Sequence, residues 1–373
     1  MAFVPFWFIL VAVLWTGFFV LEGFDLGVGM LNISVGRDEL GRRAVINTIG
    51  PLWDGNEVWL IVAGAAIFAA FPSWYATLFS GFYLAFVLLL VALILRGVSF
   101  EYRGKRPDHR WRQTWSILLA VASLVVPLVI GIGLGNLISG TPINSHQEYA
   151  GSFWDLFRPY PILAGVTLVA VCVMHGGTFI AMKTDGGVRI RATRAARRVA
   201  AVTALLVLAF ISYTHVEAGG GAFLNPVELL ACIAVIAAAL LAWDRREGWA
   251  FAATATTMAL TIVTIFVDLY PRVMVSSISP AYDLTVYNTA SPPYTLKVMT
   301  VVALVLLPVV LGYQAWTYYV FRKRITAATL QPPARAAVPA PAAAGPAPGG
   351  PTAGHRGGWR LPRGWRRPRG PRR

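Results

Sequence analysis

The sequence PLWDGNEVWL at residues 51–60 opens a run of 38 residues, Val58 to Leu95, in which no side chain is charged. At about 1.5 Å of rise per residue, one helix of that length would measure about 57 Å. The hydrocarbon core of a bilayer is only roughly 30 Å thick. The run therefore predicts two membrane spans. The turn between them is expected at FPSW, residues 71–74, because proline and aromatic residues suit a hairpin at the membrane surface.

The composition of the whole chain agrees with a membrane protein. Of 373 residues, 57% are hydrophobic and 13% are charged, and the mean hydropathy is +0.62. A soluble protein carries about twice that share of charged residues. The segment from Phe3 to Leu21 is interpreted as a first transmembrane helix and not as a cleavable signal peptide, because no basic region precedes it and no small-residue cleavage site follows it.

The apolar runs predict an all-α polytopic membrane protein with nine transmembrane helices. They lie near residues 3–31, 55–72, 76–96, 115–138, 160–182, 198–216, 227–243, 249–270 and 296–321. Lys and Arg collect in the odd-numbered loops and after the last helix. The even-numbered loops hold only Arg158 and Arg272, with Lys297 at the start of the last span. By the positive-inside rule, the N-terminus is expected outside and the C-terminus in the cytoplasm.

The chain divides into a predicted nine-helix membrane domain, residues 1–325, and a cytoplasmic tail, residues 326–373. Residues 332–354 consist mostly of Pro, Ala and Gly, and residues 331–373 contain nine Arg and no acid. Such a composition predicts disorder. Arginines tethered at the inner surface indicate contact with anionic membrane lipid, and nucleic acid is not an expected partner. An extension without a binding role is the alternative.

Two pairs of acids stand out against this apolar background. Glu22 and Asp25 are three residues apart in the first helix, and Asp54 and Glu57 have the same spacing at the start of the second, so each pair shares a helix face. Acids at the edge of hydrocarbon are costly and tend to mark ion or proton routes. The alternative is that acids at a helix start complement the helix dipole. A third charged group, RGVSFEYR at residues 96–103, ends the third helix, and its simplest interpretation is an interfacial ion pair.

Cofactor ligands are scarce in the sequence. Cys172 and Cys232 lie in apolar runs without a CxxC partner, and His175 is the one histidine well inside a predicted span. A membrane haem needs axial ligands, usually His or Met, from facing positions. We therefore interpret His175 as a core residue, and we expect no metal site and no haem bound by this chain alone. Catalysis by this chain alone is not expected either.

The acidic segments resemble a known family. EGFDLGVGML at residues 22–31 resembles the DGFDxGVGML segment of the second subunit of cytochrome bd quinol oxidases, and residues 51–60 resemble its PxWDGNxVWL segment. The likeness continues through residues 79–83, 96–103, 111–112 and 135–137, and more loosely to LKVMT at residues 296–300. It covers roughly residues 1–325.

The resemblance implies a nine-helix subunit of two four-helix bundles plus one peripheral helix, in a bacterial plasma membrane. Its partner is a haem-bearing subunit I, which carries two b haems and one d haem. The complex oxidises quinol and reduces O2 to water. Small accessory subunits, membrane lipid and a structural quinone are further partners that the resemblance suggests.

The resemblance also implies roles for single residues. Asp54, the aspartate of the WDGN motif, stands on a proton route from the cytoplasm, and Glu101 stands at a second inner entrance. Asp25 is the third proton-transfer candidate, and Trp59 borders an oxygen route in some members. The family usually has Gln at the position of Glu57, so Glu57 inherits no role. A standalone secondary transporter and a purely structural scaffold subunit are the alternative functions.

Overall fold

The computed structural model describes residues 3–326, and the predicted tail lies outside them apart from its first residue. Eleven helices account for most of this part of the chain. They are α1 Phe3–Val35, α2 Glu39–Asn47, α3 Trp53–Ala70, α4 Pro72–Gly81, α5 Tyr83–Tyr102, α6 His109–Ser139, α7 Pro159–Lys183, α8 Gly186–Glu217, α9 Pro226–Trp243, α10 Glu247–Leu269 and α11 Pro293–Val320. Two short antiparallel strands, β1 Arg272–Met274 and β2 Leu284–Thr285, lie between α10 and α11.

Helix α1 is the centre of the bundle. It packs against α3, α6, α7 and α10. Its contact with α7 depends on glycine, because a Cβ added at Gly27 would lie 2.8 Å from the Cα of Gly176. Small residues at such crossings let helix backbones approach closely in a membrane. The acids of α1 are therefore held at the centre of the fold.

Eight helices within residues 3–326 are long and apolar enough to cross a membrane, namely α1, α5, α6, α7, α8, α9, α10 and α11. The chain is therefore a multi-span helical membrane protein, as predicted. Helix α3 is 18 residues long, but Asp54, Asn56 and Glu57 occupy its first turns and lower its hydropathy. The remaining predicted span, residues 55–72, corresponds to α3 and stays a prediction.

The structure divides the long uncharged run differently from the prediction. Helix α3 ends at Ala70 and α4 begins at Pro72, inside the predicted turn. The predicted span 76–96 is not one helix, because α4 ends at Gly81 and α5 begins at Tyr83. A Cβ at Gly81 would lie 2.6 Å from the ring of Tyr149, so a loop packs closely at this break.

The loops rich in Lys and Arg lie together at one end of the bundle, which we call the basic end. Arg103 contacts Glu39, Arg189 contacts Glu247, and Arg191 donates to the carbonyl oxygen of Val35. These contacts join the loops after α1, α5, α7 and α9. The segment after α11 is attached there too. Arg324 donates to the carbonyl oxygen of Met182, and the backbone amide of Ile325 donates to the carbonyl oxygen of Lys183.

Candidate functional site: a buried acidic cluster

Three helices bring charged side chains together in the interior. Arg96 of α5 lies between two carboxylates: its Nη2 is 2.5 Å from Glu22 Oε1 of α1, and its Nη1 is 2.7 Å from Glu57 Oε2 of α3. The side chains of Arg96 and Glu22 are fully buried, and that of Glu57 is 22% exposed. The ion pair predicted at residues 96–103 therefore forms at Arg96, inside the protein, and its interfacial depth in the membrane stays a prediction.

Aromatic rings hold the guanidinium of Arg96 in place. Its Cζ lies 5.9 Å from the ring centroid of Trp53 and 5.3 Å from that of Phe100. Trp53 opens α3 and Phe100 lies one turn after Arg96 in α5, and their two rings are 4.8 Å apart. A cation over an aromatic face gains electrostatic energy, more so when it is desolvated. The rings therefore stabilise the buried arginine and also cover it.

Asp25 lies one turn from Glu22 and is also fully buried. Its Oδ2 accepts a hydrogen bond of 2.7 Å from Nδ2 of Asn56, which also donates to the carbonyl oxygen of Leu21 at 3.1 Å. Asn56 is fully buried as well. The WDGN segment thus contributes its asparagine, and not its aspartate, to the interior.

Several oxygens of the cluster have no hydrogen-bond donor within residues 3–326. They are both carboxylate oxygens of Glu22 and Oδ1 of Asp25. The contact between Arg96 and Glu22 is an ion pair by distance, but its angles are not those of a hydrogen bond. Buried acceptors normally have partners. This site therefore has acceptor capacity for protons or water that the surrounding side chains do not fill.

The predicted proton-transfer residues do not all meet at this cluster. Asp25 belongs to it. Asp54 is exposed in the first turn of α3, and Glu101 is exposed at the end of α5. Both lie near the basic end, with the buried cluster deeper in the bundle. Glu57, to which the sequence assigned no role, is the partly exposed member between Asp54 and Arg96.

Trp59 is buried and lies beside a large apolar cavity. A Cβ added at Gly17 of α1 would lie 2.5 Å from its ring, so the glycine makes room for the indole. The cavity, of about 1000 Å³, is bounded by α1, α3, α10 and α11, and its lining includes Trp59, Gln314 and Tyr318. Gln314 and Tyr318 also contact Asn56. Sequence reasoning missed both, and their spacing of four residues in an otherwise apolar helix is the signal that could have found them.

His175 is a core residue in the structure. Its Nδ1 is 2.7 Å from the hydroxyl of Thr254 and its Nε2 is 3.2 Å from the carbonyl oxygen of Val20. Its ring stacks on Phe251 at a centroid distance of 4.6 Å. Both ring nitrogens are therefore engaged within the protein, so His175 does not fit the role of an axial haem ligand. Within the described ranges, His, Cys, Asp and Glu side chains form no group of three that could hold a metal ion.

Comparison with known proteins identifies the family. The family model described as cytochrome bd terminal oxidase subunit II matches residues 4–321. The chain is 47% identical to cytochrome bd ubiquinol oxidase subunit 2 of Bacillus subtilis over 324 residues, which cover 86% of this chain and 96% of that one. It is 38% identical to cytochrome bd-I ubiquinol oxidase subunit 2 of Escherichia coli K12, covering 86% and 94% of the two chains.

A solved structure supports the fold. A chain in the structure of bd oxidase from Geobacillus thermodenitrificans superposes with a TM-score of 0.60 at 11% sequence identity, covering 86% of this chain and 98% of that one. Together with the eight candidate spans, these comparisons make the protein a multi-pass protein of the bacterial cytoplasmic membrane. The chain belongs to the cytochrome bd terminal oxidase subunit II family.

Proposed function

We propose that this chain is the subunit of a quinol:O2 oxidoreductase complex that conveys protons from the cytoplasm toward a haem-bearing subunit I. Quinol oxidation and O2 reduction to water follow from the names of its relatives and from the family resemblance. The two b haems and one d haem of such a complex supply the electron transfer and O2 chemistry, and they belong to subunit I. The observation that carries a proton role for this chain is the buried cluster of Glu22, Asp25, Glu57 and Arg96.

The charge of the cluster supports proton uptake. If every member were ionised, three carboxylates would share one guanidinium at a depth where water is scarce. An unbalanced charge in such surroundings is expensive, and ionisable groups tend to become neutral instead. The oxygens of Glu22 and Asp25 that lack donors are positions where protons fit. The cluster can therefore hold and release protons without moving a helix.

The entrance is proposed at the basic end. Asp54 and Glu101 are exposed there, and Glu57 lies between Asp54 and Arg96. Carboxylates at the surface collect protons from water, and the buried acids receive them. Asp54 is proposed as the main entrance and Glu101 as a second one. Trp59, beside the apolar cavity, is proposed to line a route for O2.

The proposed topology has nine spans in two four-helix bundles plus the peripheral α11, with the N-terminus outside and the C-terminus in the cytoplasm. The clustering of Lys- and Arg-rich loops at one end supports this orientation. Fusion of a green fluorescent protein after Thr326 should fluoresce, and alkaline phosphatase inserted at Gly220 should be active. The reverse pair of results would overturn the orientation.

The membrane domain is proposed to occupy residues 1–325, with residues 326–373 as a tail that contacts anionic lipid. Lipid and small accessory subunits are further proposed partners of the complex, and a structural quinone is its proposed additional ligand. Removing residues 332–373 tests whether the membrane domain is independent of the tail. The truncated complex should assemble with unchanged haem content, and loss of assembly would contradict it.

The proton role is tested with Asp25→Asn in the assembled complex. Asn has nearly the same shape but cannot release a proton, so haem content should be unchanged while O2 consumption falls at least about tenfold. Asp108→Asn is the matched control, because Asp108 caps α6 at the basic end and Asn caps a helix equally well. Wild-type turnover of an assembled Asp25→Asn complex would refute the role. Loss of haem or of assembly would instead favour the scaffold function.

The two entrances are separated by Asp54→Asn and Glu101→Gln. We expect Asp54→Asn to slow O2 reduction with haem content intact, and Glu101→Gln to give a milder loss. The double variant should be slower than either single variant if protons enter by both. Equal turnover of all three variants and the wild type would remove both residues from the path.

A further inference from the structure

The side-chain amide of Asn56 is held from two sides. Its Nδ2 donates to Asp25 Oδ2 at 2.7 Å and to the carbonyl oxygen of Leu21 at 3.1 Å. Its Oδ1 accepts from Gln314 Nε2 at 2.8 Å and from the hydroxyl of Tyr318 at 2.9 Å. An amide has two donor hydrogens and two acceptor lone pairs. In this orientation all four are used in a fully buried position.

The opposite orientation of this amide would be unfavourable. A flip by 180° would place Oδ1 against the carboxylate of Asp25 and the carbonyl oxygen of Leu21, and no hydrogen would lie between them. It would also set the NH2 group against the NH2 group of Gln314. A buried acceptor without a donor costs about 1–3 kcal/mol. The contacts from α11 therefore act together with Leu21 to hold Asn56 in the orientation that donates to Asp25.

Helix α11 is otherwise loosely attached in this region. Gln314 and Tyr318 are four residues apart, so they lie on the same face. The residues around them, such as Tyr313 and Trp316, are exposed by 65% and 60%. Just beyond the end of the helix, Nζ of Lys183 donates to the carbonyl oxygen of Phe321. Toward the start of the helix, the next attachment is at Trp7, whose Nε1 donates to the carbonyl oxygen of Leu296 and to the hydroxyl of Thr300.

The attachments of α11 at Trp7 and at Asn56 are separated by the apolar cavity. From Leu296 to Gln314 the helix rises about 27 Å at 1.5 Å per residue. Leu311, Gln314 and Ala315 line the cavity, so the polar pair Gln314 and Tyr318 lies at its edge. The rest of this stretch of α11 offers apolar surface, and the hydrogen bonds of this polar pair go to Asn56.

We propose that Gln314 and Tyr318 are positioning residues for proton transfer: they orient the amide of Asn56 so that it donates to Asp25. A hydrogen bond donated to a carboxylate favours its ionised form. The peripheral helix thereby sets how readily Asp25 releases a proton. This inference rests on the proton role proposed above for Asp25.

The test uses the assembled complex with Gln314→Leu and Tyr318→Phe combined. Both donors to Asn56 Oδ1 are then lost, so the amide is held only by Asp25 and Leu21 and its hydrogen bond to Asp25 weakens. Turnover should fall about threefold to tenfold near neutral pH, and the pH at which activity is half-maximal should rise by roughly one unit. The infrared carboxyl band that disappears in Asp25→Asn should shift in the double variant.

Two controls separate positioning from simple loosening of the helix. Trp7→Phe removes the hydrogen bonds at the other attachment of α11, and it should leave both the pH profile and the infrared band unchanged. In an Asp25→Asn background, the α11 changes should have no further effect on turnover. If the double variant does not assemble, Tyr318→Phe alone keeps one donor to Asn56 and should give an intermediate shift of the band.

The outcomes distinguish this inference from the proton role itself. Slow turnover of Asp25→Asn together with wild-type turnover, pH profile and infrared band in the α11 variants would overturn the positioning role alone. An equal effect of Trp7→Phe would also overturn it. Wild-type turnover of Asp25→Asn would overturn the proton role and the positioning role with it.

Discussion

Replacing Arg96 by Met should lower the free energy of unfolding of the complex by about the cost of leaving Glu22 buried without its cation. The change leaves Glu22 fully buried without its cation, while Met has a similar length and fills the space beside the rings of Trp53 and Phe100. A glutamate ordinarily loses its proton near pH 4.3, so keeping Glu22 protonated at pH 7 costs about 3.7 kcal/mol. This agrees with the roughly 3–5 kcal/mol lost when one partner of a buried ion pair is removed.

The stability loss caused by Arg96→Met depends on pH with a definite sign. Protonation neutralises the unpaired Glu22, and each unit of lower pH reduces the cost of that proton by about 1.4 kcal/mol. The loss in the free energy of unfolding of Arg96→Met should therefore be smaller at pH 6 than at pH 7. Adding Glu22→Gln should recover more than half of the loss, because the buried site then needs no proton.

Equilibrium denaturation of the purified complex with SDS in mixed micelles measures these differences. Arg112→Gln is the matched control, because Arg112 is 31% exposed and lies 3.5 Å from Glu39, and such pairs contribute about 0–1 kcal/mol. The reasoning is refuted if Arg96→Met and Arg112→Gln cost the same, or if the loss for Arg96→Met grows as the pH is lowered.

Three further changes test helix packing and capping in the membrane domain. Gly27→Val should prevent assembly or cost at least about 3 kcal/mol, since even a Cβ would overlap the backbone of α7; an assembled complex of normal thermal stability would contradict the close contact. Trp7→Phe should cost about 1 kcal/mol in SDS denaturation, because the donor to Thr300 is lost. Asp108→Ala should cost about 1 kcal/mol through loss of the α6 cap, and Asp108→Asn should recover most of it.

The sequence predicted the membrane class and most helices because hydropathy records the cost of placing each residue in lipid. It did not predict the break at Phe82, where both flanking segments are equally apolar. The short helix α2 was also missed, since it lies in a polar loop where only the cap at Asp38 marks it. Apolar runs show that a segment is buried, but not where it bends.

The cluster was predicted only in part for a different reason. The i, i+3 spacing correctly placed Glu22 and Asp25 on one face of a helix. The rotation of each helix about its axis decides which residue of another helix meets that face. Hydropathy contains no information on this rotation. The sequence therefore predicted an ion pair at Arg96 without its partners Glu22 and Glu57. The contact between Asn56 and Gln314, 258 positions apart in the chain, was not foreseen either.

The ion pairs of Arg96 have a consequence for how the protein is made. Glu22, Glu57 and Arg96 lie on α1, α3 and α5, which leave the ribosome in that order. Each of these helices alone would carry an unmatched charge into lipid. The cost is about 2.5–3.5 kcal/mol for a charged residue near a helix centre, and less for Glu57, which lies in the first turns of α3. We therefore expect the insertion machinery to retain α1 and α3 until α5 is synthesised, so that the first hundred residues enter the bilayer as one unit. A chain truncated just before Arg96 should remain bound to the insertion channel or be degraded.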